Sequence, residues 1–209
     1  MIITDIIELK IGPSKKKNAY KIYIDYDYAF LLYKQDIKKY QLEIDKEVTS
    51  ELFDEIIEDT VYRRAKQKAL AILKHMDRTE KELISKLKDA HYTDIIIEKT
   101  IDYLKGYSYI NDERYASNYI RLKKSTLSIL TIKTKLLQKG INKELLEKII
   151  AIEYNTDMND IDPEIEAINK AILKKYKDIS DLNYDNKQKL IASLYRKGFD
   201  LEKIIRCLK

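Results

Sequence analysis

The sequence predicts a mainly α-helical protein of three tandem three-helix repeats in an elongated curved stack, with a small N-terminal β-hairpin or β-sheet extension. Three observations lead there. Of 209 residues only 4 are Gly and 2 are Pro, while 44% are hydrophobic and 36% charged; against the roughly 7% Gly and 5% Pro of ordinary proteins, this describes an ordered, soluble chain with few tight turns. Period-two alternation is confined to the first 32 residues. Five apolar positions with one internal spacing recur three times further on.

From Tyr20 to Leu32 every even position is apolar or aromatic, and the odd ones include Lys21, Asp25 and Asp27, which is strand periodicity. Asp25-Tyr26-Asp27 is expected to bend this run into a hairpin, and Gly12-Pro13-Ser14 with Lys15, Lys16 and Lys17 to form the turn before it. So few short strands are not stable alone in water, so they must pack on the following helices or on a partner.

Beyond about residue 33 the pattern is helical. Thr79-Glu80-Lys81-Glu82 is a capping box, in which hydroxyl and carboxylate reciprocally satisfy free backbone donors. Asp112, Asn142 and Asp185 are further expected N-caps, and Asp162 precedes Pro163 in the first helical position. Leu83, Leu87, Tyr92, Ile97 and Ile101 recur as Ile132, Leu136, Ile141, Leu146 and Ile150, then as Leu190, Leu194, Phe199, Ile204 and Leu208. Each copy is a helix, a tight turn and a second helix, with a further helix upstream near 61–74, 112–124 and 162–175. The turn falls at His91, Gly140 and Gly198. Two of these are the residue that accepts a left-handed backbone, and His is among the others that visit it. The expected boundaries are 1–50 for the strands and a short helix, then 51–110, 111–155 and 156–209 for the repeats.

Catalysis finds little support in the inventory. The four glycines are too scattered for a phosphate-cradling loop. The two histidines, His75 and His91, share no helix face with a carboxylate or with Cys207, so neither nucleophile nor general base is assembled. Glu80/Glu82 and Asp157/Asp160/Asp162 suit a helix start and a linker. No catalytic residue, metal ligand set or cofactor is expected. Strictly apolar runs such as Ala29–Leu32 and Ala69–Leu73 are far too short to span a bilayer, and the N-terminus has no signal-peptide pattern. A single Cys suits a reducing, cytoplasmic setting.

The net charge of +5 hides a strong asymmetry. Residues 1–60 are net −4, residues 61–150 net +9 and residues 151–209 neutral. No acid lies between Glu113 and Glu144, a stretch holding Arg114, Arg121, Lys123, Lys124, Lys133, Lys135, Lys139 and Lys143. Codon bias raises Lys everywhere but does not remove acids from one segment, so this region is expected to face a polyanion or an acidic protein surface. Arg114 and Arg121 are seven apart on one helix, Lys135 and Lys139 four apart on the next, so each pair shares a face. Among aromatic residues, Tyr92 and the stripe Tyr115, Tyr119 and Leu122 are expected in the core, leaving Tyr23, Tyr26 and Tyr28 as the better candidates for exposed rings.

The segment Arg78-Thr79-Glu80-Lys81-Glu82-Leu83, then Tyr109-Ile110-Asn111-Asp112-Glu113-Arg114-Tyr115-Ala116, then Gln138-Lys139-Gly140-Ile141, within three tandem three-helix repeats, closely resembles the RecX regulatory proteins of bacteria. The resemblance covers about residues 61–209, and the strands look like the extension of longer members. The chain departs from the family at Lys74-His75-Met76-Asp77, at Ser108 and at His91. The resemblance implies a non-enzymatic, cytoplasmic, monomeric modulator of RecA in DNA repair, DNA recombination and the SOS response. It would bind the RecA nucleoprotein filament, inhibit recombinase, ATPase and coprotease activity, and bind single- and double-stranded DNA. Arg114, Arg121, Lys123, Lys124, Lys133, Lys135 and Lys139 are the expected DNA or RecA contacts, made to backbone phosphate without reading sequence. A sequence-specific helix-turn-helix transcription regulator is the alternative, although the second helices of the repeats are short of Arg, Asn and Gln for base edges.

Overall fold

The computed structural model describes residues 1–11, 17–155, 162–176 and 182–208. The expected Gly12-Pro13-Ser14 turn with Lys15 and Lys16, and Asp157 and Asp160 of the expected linker, lie outside the described residues. The chain divides into two compact units, Met1–Ile110 and Asn111–Lys209.

The first unit opens with an antiparallel sheet in the order β1 (Ile3–Ile11), β2 (Lys17–Ile24), β3 (Asp27–Tyr33). Asp25 and Tyr26, at φ 50° and 72°, make the two-residue connection between β2 and β3, both with the positive φ that matches strand twist in a tight hairpin. The Asp25 carboxylate accepts from Ile2 N at 2.9 Å and Thr4 Oγ1 from Tyr26 N at 3.1 Å, hooking the start of the chain to that turn. Helices α1 (Lys34–Tyr40) and α2 (Ser50–Glu55) follow, and a π-helical segment, Ile56–Tyr62, continues into α3 (Arg63–His75). Nothing in the local sequence marks the change of pitch. Then come α4 (Glu80–Asp89) and α5 (Asp94–Gly106).

The strands pack on the helices of their own unit. Ile3, Ile22, Phe30 and Leu32 share a core with Ile56, Val61, Ala65 and Ile96. Polar contacts fix the docking. Asp36 takes two bonds from Arg64, at 2.5 and 2.9 Å, with the guanidinium 5.0 Å from the Tyr33 ring. The Tyr28 hydroxyl donates to the His91 carbonyl at 2.5 Å, so the hairpin touches the turn between α4 and α5. Burial pushes both Tyr28 and Tyr92 up to about 12.

The second unit holds α6 (Asp112–Lys123), α7 (Ile129–Gln138) and α8 (Lys143–Glu153) around one core, and α9 (Pro163–Leu173), α10 (Tyr184–Arg196) and α11 (Leu201–Cys207) around another. Hydrogen bonds join the two cores at the Lys197 carbonyl and at the Glu164 carboxylate. Lys197 O accepts from Ser128 Oγ at 2.7 Å and from Thr131 Oγ1 at 3.0 Å. Beside it the buried Glu164 carboxylate accepts from Ile129 N at 3.2 Å and from Lys203 Nζ at 2.9 Å.

The recurring apolar positions are buried in all three copies, Tyr92 partly, and the turns are superposable in their hydrogen bonds. His91, Gly140 and Gly198 have φ of 65°, 94° and 81°. In each, the next residue's amide donates back five positions: Tyr92 to Leu87, Ile141 to Leu136, Phe199 to Leu194, at 3.2, 3.0 and 3.4 Å. These bonds satisfy carbonyls that a helix end leaves free. The Thr79/Glu82 capping box closes in both directions, at 3.3 and 3.2 Å, and Asn142 and Asp162 cap α8 and α9.

Three expectations change. Asn111, not Asp112, caps α6, its side chain accepting from Arg114 N at 2.8 Å. Asn183, not Asp185, caps α10. Leu122 is 70% exposed; the buried stripe of α6 is Ala116 and Ile120, with Tyr115 and Tyr119 flanking it.

Candidate functional site

The acid-free stretch folds as α6, the following turn and α7. Glu153, at the C-terminal end of α8, organises half of it. Its side chain is 7% exposed and receives Arg121 through Nε at 2.9 Å and NH2 at 2.7 Å, together with the Ser117 hydroxyl. The Arg121 bond, with help from Ser117 and the charge of Lys124, holds this carboxyl below the usual range against the opposing effect of burial. Lys124 Nζ donates to the Glu153 carbonyl at 2.8 Å. Lys133 pairs with Glu147 at 2.6 Å, tying α7 to α8.

These three cations thus have structural partners on α8, which divides the seven expected contact residues. Arg121 and Lys124 come together on Glu153, and Lys133 sits apart on Glu147. Lys139 lies 5.5 Å from the centre of the Tyr115 ring. Arg114 is exposed in the first turn of α6, and Lys135 is exposed on α7. Among the described residues, Lys123 and Lys135 have no ion-pair partner. A bound phosphate would meet these groups without first displacing a carboxylate, whereas recruiting Arg121 means uncovering Glu153. The Glu153 network was not legible in sequence, since its partners lie 32 and 36 positions away; only the i, i+4 spacing of Ser117 and Arg121 hints at a shared face.

The aromatic expectation is corrected. Tyr26 is 85% exposed at the hairpin turn, but Tyr28 is hydrogen-bonded to His91 and Tyr23 lies edge-on to it at 5.8 Å. Tyr107 and Tyr109 are also exposed and form a run with the half-buried Tyr103, the ring centres being 4.8 and 6.2 Å apart in sequence order. Lys66 approaches the Tyr103 ring at 5.0 Å and the Tyr62 ring at 4.2 Å. The 103/107 spacing of i, i+4 was the available signal.

Among the described residues, no group of three or more His, Cys, Asp or Glu side chains could hold a metal ion, and no helix is long and apolar enough to cross a membrane. His91 is a turn residue and His75 closes α3 exposed.

Comparison with known proteins agrees with this architecture. Residues 65–104 match the model of the first three-helix domain of RecX and residues 162–208 that of the third. The regulatory protein RecX of Clostridium acetobutylicum is 31% identical over 201 residues, covering 95% of this chain and 92% of that one. That of Caldanaerobacter subterraneus subsp. tengcongensis is 31% identical over 209 residues, covering 100% and 98%; the likeness therefore runs through the N-terminal strands. A crystal structure of regulatory protein RecX aligns over 97% of this chain with a TM-score of 0.60 at 23% identity. RecX from Lactobacillus salivarius aligns over 70% with a TM-score of 0.57 at 26% identity.

Proposed function

Because the chain belongs to the RecX family of regulatory proteins, we propose that it acts without catalysis by binding the RecA nucleoprotein filament and limiting recombinase, ATPase and coprotease activity. In this reading the protein works as a monomer in the cytoplasm, in DNA repair and the SOS response. It holds DNA, single- or double-stranded, through α6 and α7. The proposed modules are residues 1–50, 51–110, 111–155 and 156–209.

The observation that carries this reading is the 30-residue absence of acids between Glu113 and Glu144, on helices that keep Lys123 and Lys135 clear of carboxylates among the described residues. Flexible cations spread along two helices suit phosphates of any sequence and supply little of the planar donor pattern that reads base edges. The specificity ratio on random duplexes is accordingly expected near one. The decisive assay is RecA-driven ATP hydrolysis on single-stranded DNA, which the protein is expected to suppress. No effect across a wide ratio of the two proteins overturns the reading.

A further inference from the structure

Between the two cores of the second unit lies a cleft of about 670 Å³, walled by the α6–α7 turn, the start of α7, the end of α9, and α10 with its following turn. We propose that it is a binding site for a nucleoside di- or triphosphate, with the phosphates held by Lys174, Lys175 and Lys197 and the nucleoside lying against Leu127, Leu194 and Phe199.

Charge is the first reason. Among the described residues, four lysines line the cleft and no acidic residue does. Lys170 is paired with Glu166 at 2.5 Å, but Lys174, Lys175 and Lys197 have no carboxylate partner among the described residues. Three ammonium groups drawn from two helix ends match the three or four negative charges of a di- or triphosphate. Lysine at a helix C-terminus also balances the helix dipole. At Lys197 that role is already filled, because its carbonyl accepts two hydroxyls.

The second reason is the donor pattern. A peptide laid in a groove presents one N–H per residue and needs acceptors to match. Among the described residues the lining offers no carboxylate or amide side chain; the hydroxyls of Ser128, Thr131 and Thr126 donate to protein oxygens, and only the Ser193 hydroxyl is left as a further side-chain acceptor. Phosphate oxygens need donors only, which the ammonium groups supply. The third reason is shape. The cleft lies within the roughly 300–1,000 Å³ of small-molecule sites, and its lining combines apolar Leu127, Ala171, Leu190, Leu194 and Phe199 with a few polar groups.

None of Arg114, Lys123, Lys135 and Lys139 lines this cleft, and its test does not involve RecA or DNA. Calorimetric titration of the full chain with ADP, pyrophosphate and adenosine is expected to give binding by ADP, at least tenfold weaker binding by pyrophosphate, and none by adenosine alone. The triple variant K174A/K175A/K197A should weaken ADP at least tenfold. Ser193→Phe, which fills the cleft without changing charge, should do the same, while K143A/K148A on α8 should not. Absence of ADP binding at millimolar concentration overturns the site, as does binding that survives both the triple variant and Ser193→Phe. Equal loss in K143A/K148A would reduce it to diffuse charge attraction and equally overturn it.

Discussion

Exchanging residues at the three equivalent turns measures what a left-handed backbone costs in this fold. His91 stands at φ 65° where the other copies have Gly140 at 94° and Gly198 at 81°. An L-residue there is disfavoured by about 1–2 kcal/mol. Gly avoids that penalty but loses about 0.5–1 kcal/mol more chain entropy on folding. The net expectation for His91→Gly is a gain of about 0.5–1 kcal/mol, with the carbonyl that receives Tyr28 retained. Gly140→Ala should lose the same amount. Gly198→Ala meets an added collision, since a Cβ would lie 3.0 Å from Ser128 Oγ and 3.1 and 3.2 Å from Leu130 Cβ and Cδ2. Both neighbours belong to the helix start that closes on Lys197, so neither can retreat freely, and overpacking of this kind adds about 1–3 kcal/mol. The total is then about 1.5–4 kcal/mol. Urea unfolding followed by far-UV circular dichroism, with an unchanged slope, is the assay. A destabilised His91→Gly, or a Gly198→Ala no worse than Gly140→Ala, would refute the reasoning.

Glu153→Gln should destabilise the second unit in a pH-dependent way. The native carboxyl titrates below its usual value, so its contribution is complete above the unfolded pKa, near 4.3, and is lost as pH falls through the native one. The gap between wild type and variant in chemical denaturation is therefore widest near neutrality and narrows in acid; a constant gap would exclude the ionised pair as its source. At the other extreme, burial raises Tyr28 and Tyr92 to about 12 from 10.0, so stability intact below pH 10 should fall between pH 10 and 12. A Y28F/Y92F variant should push the alkaline midpoint upward, as read by phenolate absorbance. For DNA, R114Q/K123Q/K135Q/K139Q is expected to flatten the slope of log K against log salt by about 0.9 per lost contact on duplex and about 0.7 on single strands. Leaving out Arg121 keeps Glu153 covered, and an unchanged slope would remove these residues from the interface.

Most of the fold was legible because its signals are local. Apolar spacing located every repeat turn, His91 included, and the Thr79/Glu82 box is written within four residues. Errors of one or two positions at Asn111 and Asn183 arose because adjacent Asx residues offer equally good cap chemistry, and tertiary packing chooses between them. The site was less legible. Arg121 and Lys135 are alike as charges on a helix surface, and only the return of α8 brings Glu153 against one and not the other. The cleft lysines were invisible for a related reason: they lie in a segment whose net charge is zero, so a sum along the chain shows no excess there.

The double acceptance at the Lys197 carbonyl bears on how such a chain can be shortened or rearranged. Ser128 and Thr131 begin α7, yet their shared acceptor is 66 to 69 positions away, on the far side of the next repeat. Deleting the last three helices would leave two hydroxyls facing vacancy and remove the Glu164 carboxylate that holds the first turn of α7. The second and third copies are therefore inseparable neighbours, and the unit that can be lost, duplicated or transplanted intact is the pair.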